Sequence, residues 1–150
     1  MGTRLTLRLL GPPEVRLGGE PVVGFASDKV RALLFYLAVG ADRPHRRESL
    51  AGLLWPDYPE RSARTNLSNA LSNLRTVLCD RQASPPCLLV SGETIQFNLE
   101  SDHEVDAAAF ERLVGDREWE AAVGLYRGPF LEGFSVADSP PFEQWALWEA

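Results

Sequence analysis

The stretch RSARTNLSNALSNLRTVL, residues 61–78, restricts the fold more than any other part of the chain. At about 100° per residue, Ala63, Leu67, Ala70, Leu71, Leu74 and Leu78 gather on one stripe. This spacing predicts an amphipathic helix with one buried face. The opposite face carries Ser62, Thr65, Asn69, Ser72, Asn73 and Thr76, with Arg61 and Ser68 at its edge. Ser, Thr and Asn are weak helix formers, and a solvent face ordinarily carries Glu and Lys. From Arg61 to Cys79 there is no acidic residue, against three arginines. A short-chain polar face without carboxylates suits close approach to phosphate, and Asn and Arg are the side chains that pair with base edges in a major groove. Thr65, Asn69, Ser72 and Asn73 are the candidate base-reading residues; Arg61, Arg64, Ser68 and Arg75 are candidate backbone contacts. The same face would also suit burial against another protein element.

The rest of the chain supplies the context. RLTLRLLG alternates Leu5, Leu7 and Leu9 with polar positions, and EVRLGGEPVV reads as strand, Gly18-Gly19 turn, strand. A small antiparallel sheet is expected at the N-terminus. SDKVRALLFYLAVG follows as a helix with Ser27 as N-cap, Gly40 as stop, and an apolar stripe through Val30, Leu33, Leu34 and Leu37. RRESLAGLLWP predicts a second, short helix opened by Arg46 and Arg47 and ended by Pro56. Asp57 and Glu60 have capping-box spacing for the third helix. CLLVSGETIQFNL then reads as a hairpin with its turn at Ser91-Gly92-Glu93. Sheet, three helices, hairpin is the order of an α+β winged helix, where the third helix enters the major groove and the hairpin wing lies on the backbone. Ser91, Gly92 and Thr94 are the candidate wing contacts. Arg46 and Arg47 are unfavourable for the helix dipole at a helix start, which points to a phosphate contact there.

Beyond residue 100 the character changes. Asp106 and Asp116 are read as caps of two short helices, the second stopped by Gly128. Ser139-Pro140 opens a further helix that reaches the end of the chain. Helix pairs of this size predict all-α, TPR-like packing that continues past residue 150. Trp119, Phe142, Trp145 and Trp148 are expected in its core, Trp55 in the core of the first domain, and His45 on the surface. Residues 1–100 hold 12 basic and 10 acidic side chains, and residues 101–150 hold 3 and 11. The net −6 thus hides a mildly basic front and an acidic back that phosphate would repel.

LRLLGPPEVRLGGEPV, KVRALLFYLAVGADRP, LAGLLWPDYPERSARTNLSNALSNLRTVL, EVDAAAFERLV and LYRGPFLEGF together resemble the SARP (AfsR-like) group of winged-helix activators. That group has an OmpR-type DNA-binding domain followed by a bacterial transcriptional activation domain. The third of these stretches is the most specific. The chain departs from the group at Arg46, where Ser or Thr often caps the second helix, and in its wing turn SGETIQF. The resemblance implies domains at residues 1–100 and 101–150, the second only begun here. It also implies an activator that binds direct-repeat sites, as a homodimer, and recruits RNA polymerase.

No glycine-rich phosphate loop, clustered His/Cys ligand set or paired nucleophile and base occurs in the sequence, so no enzyme, metal or cofactor is expected. No apolar run reaches the length of a membrane span, and no signal peptide is read. Cys79 and Cys87 are read as reduced thiols of a cytoplasmic protein. The expected function is a sequence-specific DNA-binding transcriptional regulator with double-stranded DNA as its partner. Its rival is a protein-interaction adaptor built on a degenerate winged helix.

Overall fold

The computed structural model describes residues 4–149. β1 (Leu5–Arg8), β2 (Glu14–Leu17) and β3 (Glu20–Pro21) form the N-terminal antiparallel meander, with Leu5 opposite Leu17 and Leu7 opposite Val15. The alternation of Leu5, Leu7 and Leu9 works as expected: all three are fully buried. α1 (Asp28–Val39) follows, ended by the Gly40 N–H donating to the Tyr36 carbonyl. It is buried well beyond the predicted stripe, because Ala32, Phe35 and Ala38 are buried as well. α1 is the central helix, covered on more than one side.

β4 (His45–Arg46) runs straight into α2 (Arg47–Leu54), and α3 (Glu60–Val77) follows after a short link. β5 (Leu88–Val90) and β6 (Thr94–Phe97) form the expected hairpin, with Val90 opposite Ile95. β4 pairs with β6 (His45 opposite Ile95, Arg46 opposite Thr94) and makes a second, three-stranded sheet in the order β4-β6-β5. The remaining elements are β7 (His103–Val105), α4 (Asp106–Gly115), α5 (Trp119–Leu125) and α6 (Pro140–Glu149). The architecture is mixed α/β: small sheets and, among the described residues, six helices.

Several local expectations are corrected. α3 begins at Glu60 after Pro59, with no side-chain cap, so Asp57 does not cap it. Proline's fixed φ suits the turn into a helix and needs no carboxylate. Asp106 caps nothing: its buried carboxylate accepts the Leu9 and Leu10 N–H groups at 2.7 and 3.0 Å, tying the start of α4 to the end of β1. Asp116 stands at the end of α4, and α5 starts at Trp119 and stops at Leu125. The run 103–105 is a strand, parallel to β1, with Leu7 opposite Val105. Three residues are too few to show a period.

His45 is buried: its Nε2–H donates to the Gly40 carbonyl at 2.7 Å, and its ring meets Tyr36 edge to face. A Cβ at residue 40 would lie 2.9 Å from that nitrogen, so glycine is needed there for space. Trp55 is in the core as expected. Trp119 and Trp148 are not: they are 57 % and 87 % exposed. Phe142 is fully buried, and Trp145 packs at 4.8 Å from Tyr36 and 5.6 Å from Phe130. Phe134 meets Phe35 at 5.3 Å. The aromatic residues of the back half therefore cover α1 rather than facing only one another. No helix among the described residues is long and apolar enough to cross a membrane.

Candidate nucleic-acid interface

α3 carries the predicted faces. Ala63, Leu67, Ala70, Leu71 and Leu74 are buried, and Leu78 continues the stripe just past its end. Arg61, Arg64, Thr65, Ser68, Asn69 and Ser72 are exposed. Thr65, Asn69 and Ser72 thus share one accessible surface with Arg61 and Ser68.

Asn73 leaves that set. Its Nδ2–H donates to the Gly24 carbonyl at 3.2 Å, and its Oδ1 accepts the Ala26 N–H at 2.8 Å. Both ends of the amide are committed to the loop before α1. At 100° per residue Asn73 lies on the shoulder between the two faces, and the loop that uses it is 47 or more residues away in sequence. Arg75 is half-buried, and its Nε is enclosed with no hydrogen-bond partner. Its stem is part of the packing at the end of α3 rather than of the open face.

The start of α2 and the hairpin turn meet beside α3. The Arg47 Nε–H donates to the Ser91 carbonyl at 3.0 Å, and the Arg47 backbone N–H donates to the Glu93 carbonyl at 2.9 Å. With the β4–β6 pairing, these bonds fix the turn against the N-terminus of α2. Ser91 also closes its own turn, its Oγ accepting the Thr94 N–H at 3.0 Å. Gly92 has open space around it. Arg46, Arg47, Arg64, Ser68 and Gly92 border one groove of about 350 Å³, together with Glu48 and Glu93. A shallower groove of about 550 Å³ continues along α3 past Arg61, Arg64, Thr65 and Ser68. Residues from three separate stretches of sequence therefore converge on one surface.

Glu48, Glu60 and Glu93 also border this surface. α3 is free of acids along the chain beyond Glu60, but not in space. Arg64 Nη2 lies 3.2 Å from Glu48 Oε2 and 3.3 Å from Glu60 Oε1, and all three side chains are more than half exposed. Exposed pairs of this kind contribute about 0–1 kcal/mol, so Arg64 is free to exchange a carboxylate for a phosphate. The Arg64–Glu60 spacing of four was readable on a helix; the approach of Glu93 was not.

Of the two free thiols, Cys79 is exposed and Cys87, just before β5, is buried. Burial, and then the nearby Asp80 carboxylate, push the Cys87 thiol up to about 11. Asp80 accepts the Cys87 and Leu88 N–H groups and holds the start of the hairpin.

No family model matches the chain. It is 30 % identical over 143 residues to the transcriptional regulatory protein EmbR of Mycobacterium bovis, and equally to that of Mycobacterium tuberculosis. The match takes in 86 % of this chain but 37 % of the relatives, so the chain spans little more than a third of their length. The solved structure of Mycobacterium tuberculosis EmbR in complex with a low affinity phosphopeptide superposes with a TM-score of 0.71 at 26 % identity. That superposition covers 97 % of this chain and 41 % of that one. Likeness to EmbR in both sequence and fold supports the resemblance of this chain to the SARP-like family.

Proposed function

We propose that the chain is a sequence-specific DNA-binding regulator of transcription, built as a winged helix over residues 1–100. Residues 101–150 then open a TPR-like helical activation domain. The observation that carries this reading is the convergence of Arg46, Arg47, Arg64, Ser68 and Gly92 on one groove beside the open face of α3. α3 enters the major groove. Thr65, Asn69 and Ser72 read base edges, while Arg46, Arg47, Arg61, Arg64 and Ser68 bind phosphates. The wing turn, Ser91 to Thr94, lies along the backbone, with Gly92 giving the closest approach. Asn73 and Arg75 are left out of the contact set, because their side chains are engaged in packing.

The protein acts by association and carries out no covalent step. Family likeness supports an activator that binds direct repeats in the cytoplasm as a homodimer and recruits RNA polymerase. The acidic residues 101–150 stay off the duplex.

A salt titration of binding to duplex DNA tests this reading. Arg47→Ala and Arg64→Ala should each weaken binding to all duplexes and lower the salt slope by about one unit. Wild-type affinity and slope in both variants would reject the docking. Glu48, Glu60 and Glu93 around the face are what favours the alternative of a protein-binding adaptor. Failure of the wild-type chain to enrich any sequence from a random duplex pool at low salt would select that alternative.

A further inference from the structure

Lys29 is the only lysine of the chain, and it stands where three segments meet. It lies in the first turn of α1, and its side chain is 12 % exposed. Its Nζ is 3.0 Å from Asp138 Oδ2, 5.2 Å from the centre of the Trp55 ring and 5.5 Å from that of Tyr58. Trp55 and Tyr58 belong to the link 55–59 that joins α2 to α3. Asp138 lies just before α6, and the next residue, Ser139, is fully buried and donates its hydroxyl to the Leu54 carbonyl at the end of α2. Two neighbouring residues of the back half therefore hold the exit of α2: Ser139 directly, and Asp138 through Lys29.

The link matters because the start of α3 has no side-chain cap. A helix start without a cap takes its direction from the packing of the residues before it. Here those residues are held weakly among themselves: the Tyr58 N–H reaches the Trp55 carbonyl at a long 3.3 Å, and Tyr58 is about half exposed. An ammonium group set against two aromatic rings, with most water excluded, is held by the ring quadrupoles as well as by the Asp138 charge. We infer that Lys29 is a positioning residue for α3: it locks the link 55–59, fixes the angle at which α3 leaves it, and receives the packing of the α6 segment through Asp138. The inference rests on the proposed DNA-facing role of α3.

The test uses the whole chain with Lys29→Met, Lys29→Arg and Asp138→Asn, and reads amide hydrogen exchange and duplex affinity separately. Lys29→Met keeps the stem and removes the charge. It should speed exchange at the Tyr58 and Ala63 amides by about tenfold while leaving Leu71 and Leu74 unchanged. Asp138→Asn, a surface change, should act in the same direction and more weakly. Lys29→Arg should restore wild-type exchange, since it keeps the cation over both rings. Duplex affinity should fall about tenfold in Lys29→Met and recover in Lys29→Arg.

The inference is overturned if Lys29→Met leaves the Tyr58 and Ala63 amides as protected as in wild type. It is overturned equally if the core amides of α3 loosen in step with them, because the lysine would then act on global stability alone. Wild-type duplex affinity in Lys29→Met with a loosened link would also reject it. If the wild-type chain binds no duplex, the DNA reading fails on its own, and the exchange data still decide whether Lys29 holds the link.

Discussion

α3 and the α4–α5 hairpin carry similar apolar patterns and end up differently. α3 buries its whole leucine stripe against α1 and α2. Trp119 and Val123 of α5, with Tyr126 just past its end, stand at helical spacing, yet all three are exposed and only Ala122 of α5 is buried. Phe110 and Tyr126 meet edge to face at 6.0 Å, so α4 and α5 close mainly on each other. An apolar stripe states that a helix has a face suited to burial. Whether the face is buried depends on what stands opposite, and that is a property of the assembly of elements.

The sharpest way to break this contrast is to truncate one residue on each helix. Leu71→Ala removes a side chain that is 4 % exposed and should cost about 2–5 kcal/mol, because a cavity remains between α3 and its neighbours. Val123→Ala should change stability by no more than about 0.5 kcal/mol. Equal urea midpoints for the two variants would mean that the faces are assigned wrongly.

A second pair of measurements asks how firmly the back half is joined to the front. Asp106→Ala leaves the Leu9 and Leu10 N–H groups buried and unpaired, and should cost about 2–3 kcal/mol. Hydrogen exchange at those two amides should rise far more than at Leu71. Unchanged protection at Leu9 and Leu10 would show that the carboxylate does not hold them.

Asn69 and Asn73 make the same contrast within one helix, four residues apart. Asn69→Ala should reduce discrimination at one base position by roughly 1–3 kcal/mol and leave stability nearly unchanged. Asn73→Ala should do the reverse: about 1 kcal/mol of stability is lost with its two bonds to the 24–26 loop, and base preference stays the same. Selection from a random duplex pool and a thermal melt on each variant separate the two. A shift in base preference with Asn73→Ala would return that residue to the reading face.

The smallest effect is chemical. At neutral pH an alkylating reagent should label Cys79 in the folded chain and spare Cys87, whose thiol stays protonated below about 11 and is buried. Labelling of Cys87 should appear only with unfolding. Equal labelling of both thiols in the native state would place the 80–88 loop away from the core.

Much of the front half was legible because its signals are local. Leu5, Leu7 and Leu9 alternate, Ser27 and Gly40 bracket α1, and the α3 stripe repeats over enough turns to define a face. Thr65, Asn69 and Ser72 could be placed on the open side of α3 from spacing alone. The misreadings share a cause of another kind. Asp106 has the sequence position of a helix cap, but the backbone just past β1, almost a hundred residues earlier, supplies better donors for its carboxylate. Trp119 and Trp148 have core-type spacing with no layer opposite them, whereas Trp145 has Tyr36 of α1 and Phe142 has Phe134.

The amino-acid sequence by itself determined the order of the helices, the N-terminal meander and the hairpin, the buried and open faces of α3, and the choice of Arg, Ser and Asn on the open one. These follow from periodicity and side-chain chemistry, which act over a few residues. The tertiary structure alone decided that Arg46 and Arg47 share a groove with Arg64 and the hairpin turn, that Glu48 and Glu93 border it, and that Asn73 faces a loop. It also decided that the lone lysine sits between α1, the α2–α3 link and Asp138. Each of these is a contact between segments far apart in the chain, and such contacts are set by how whole elements pack, which no local pattern encodes.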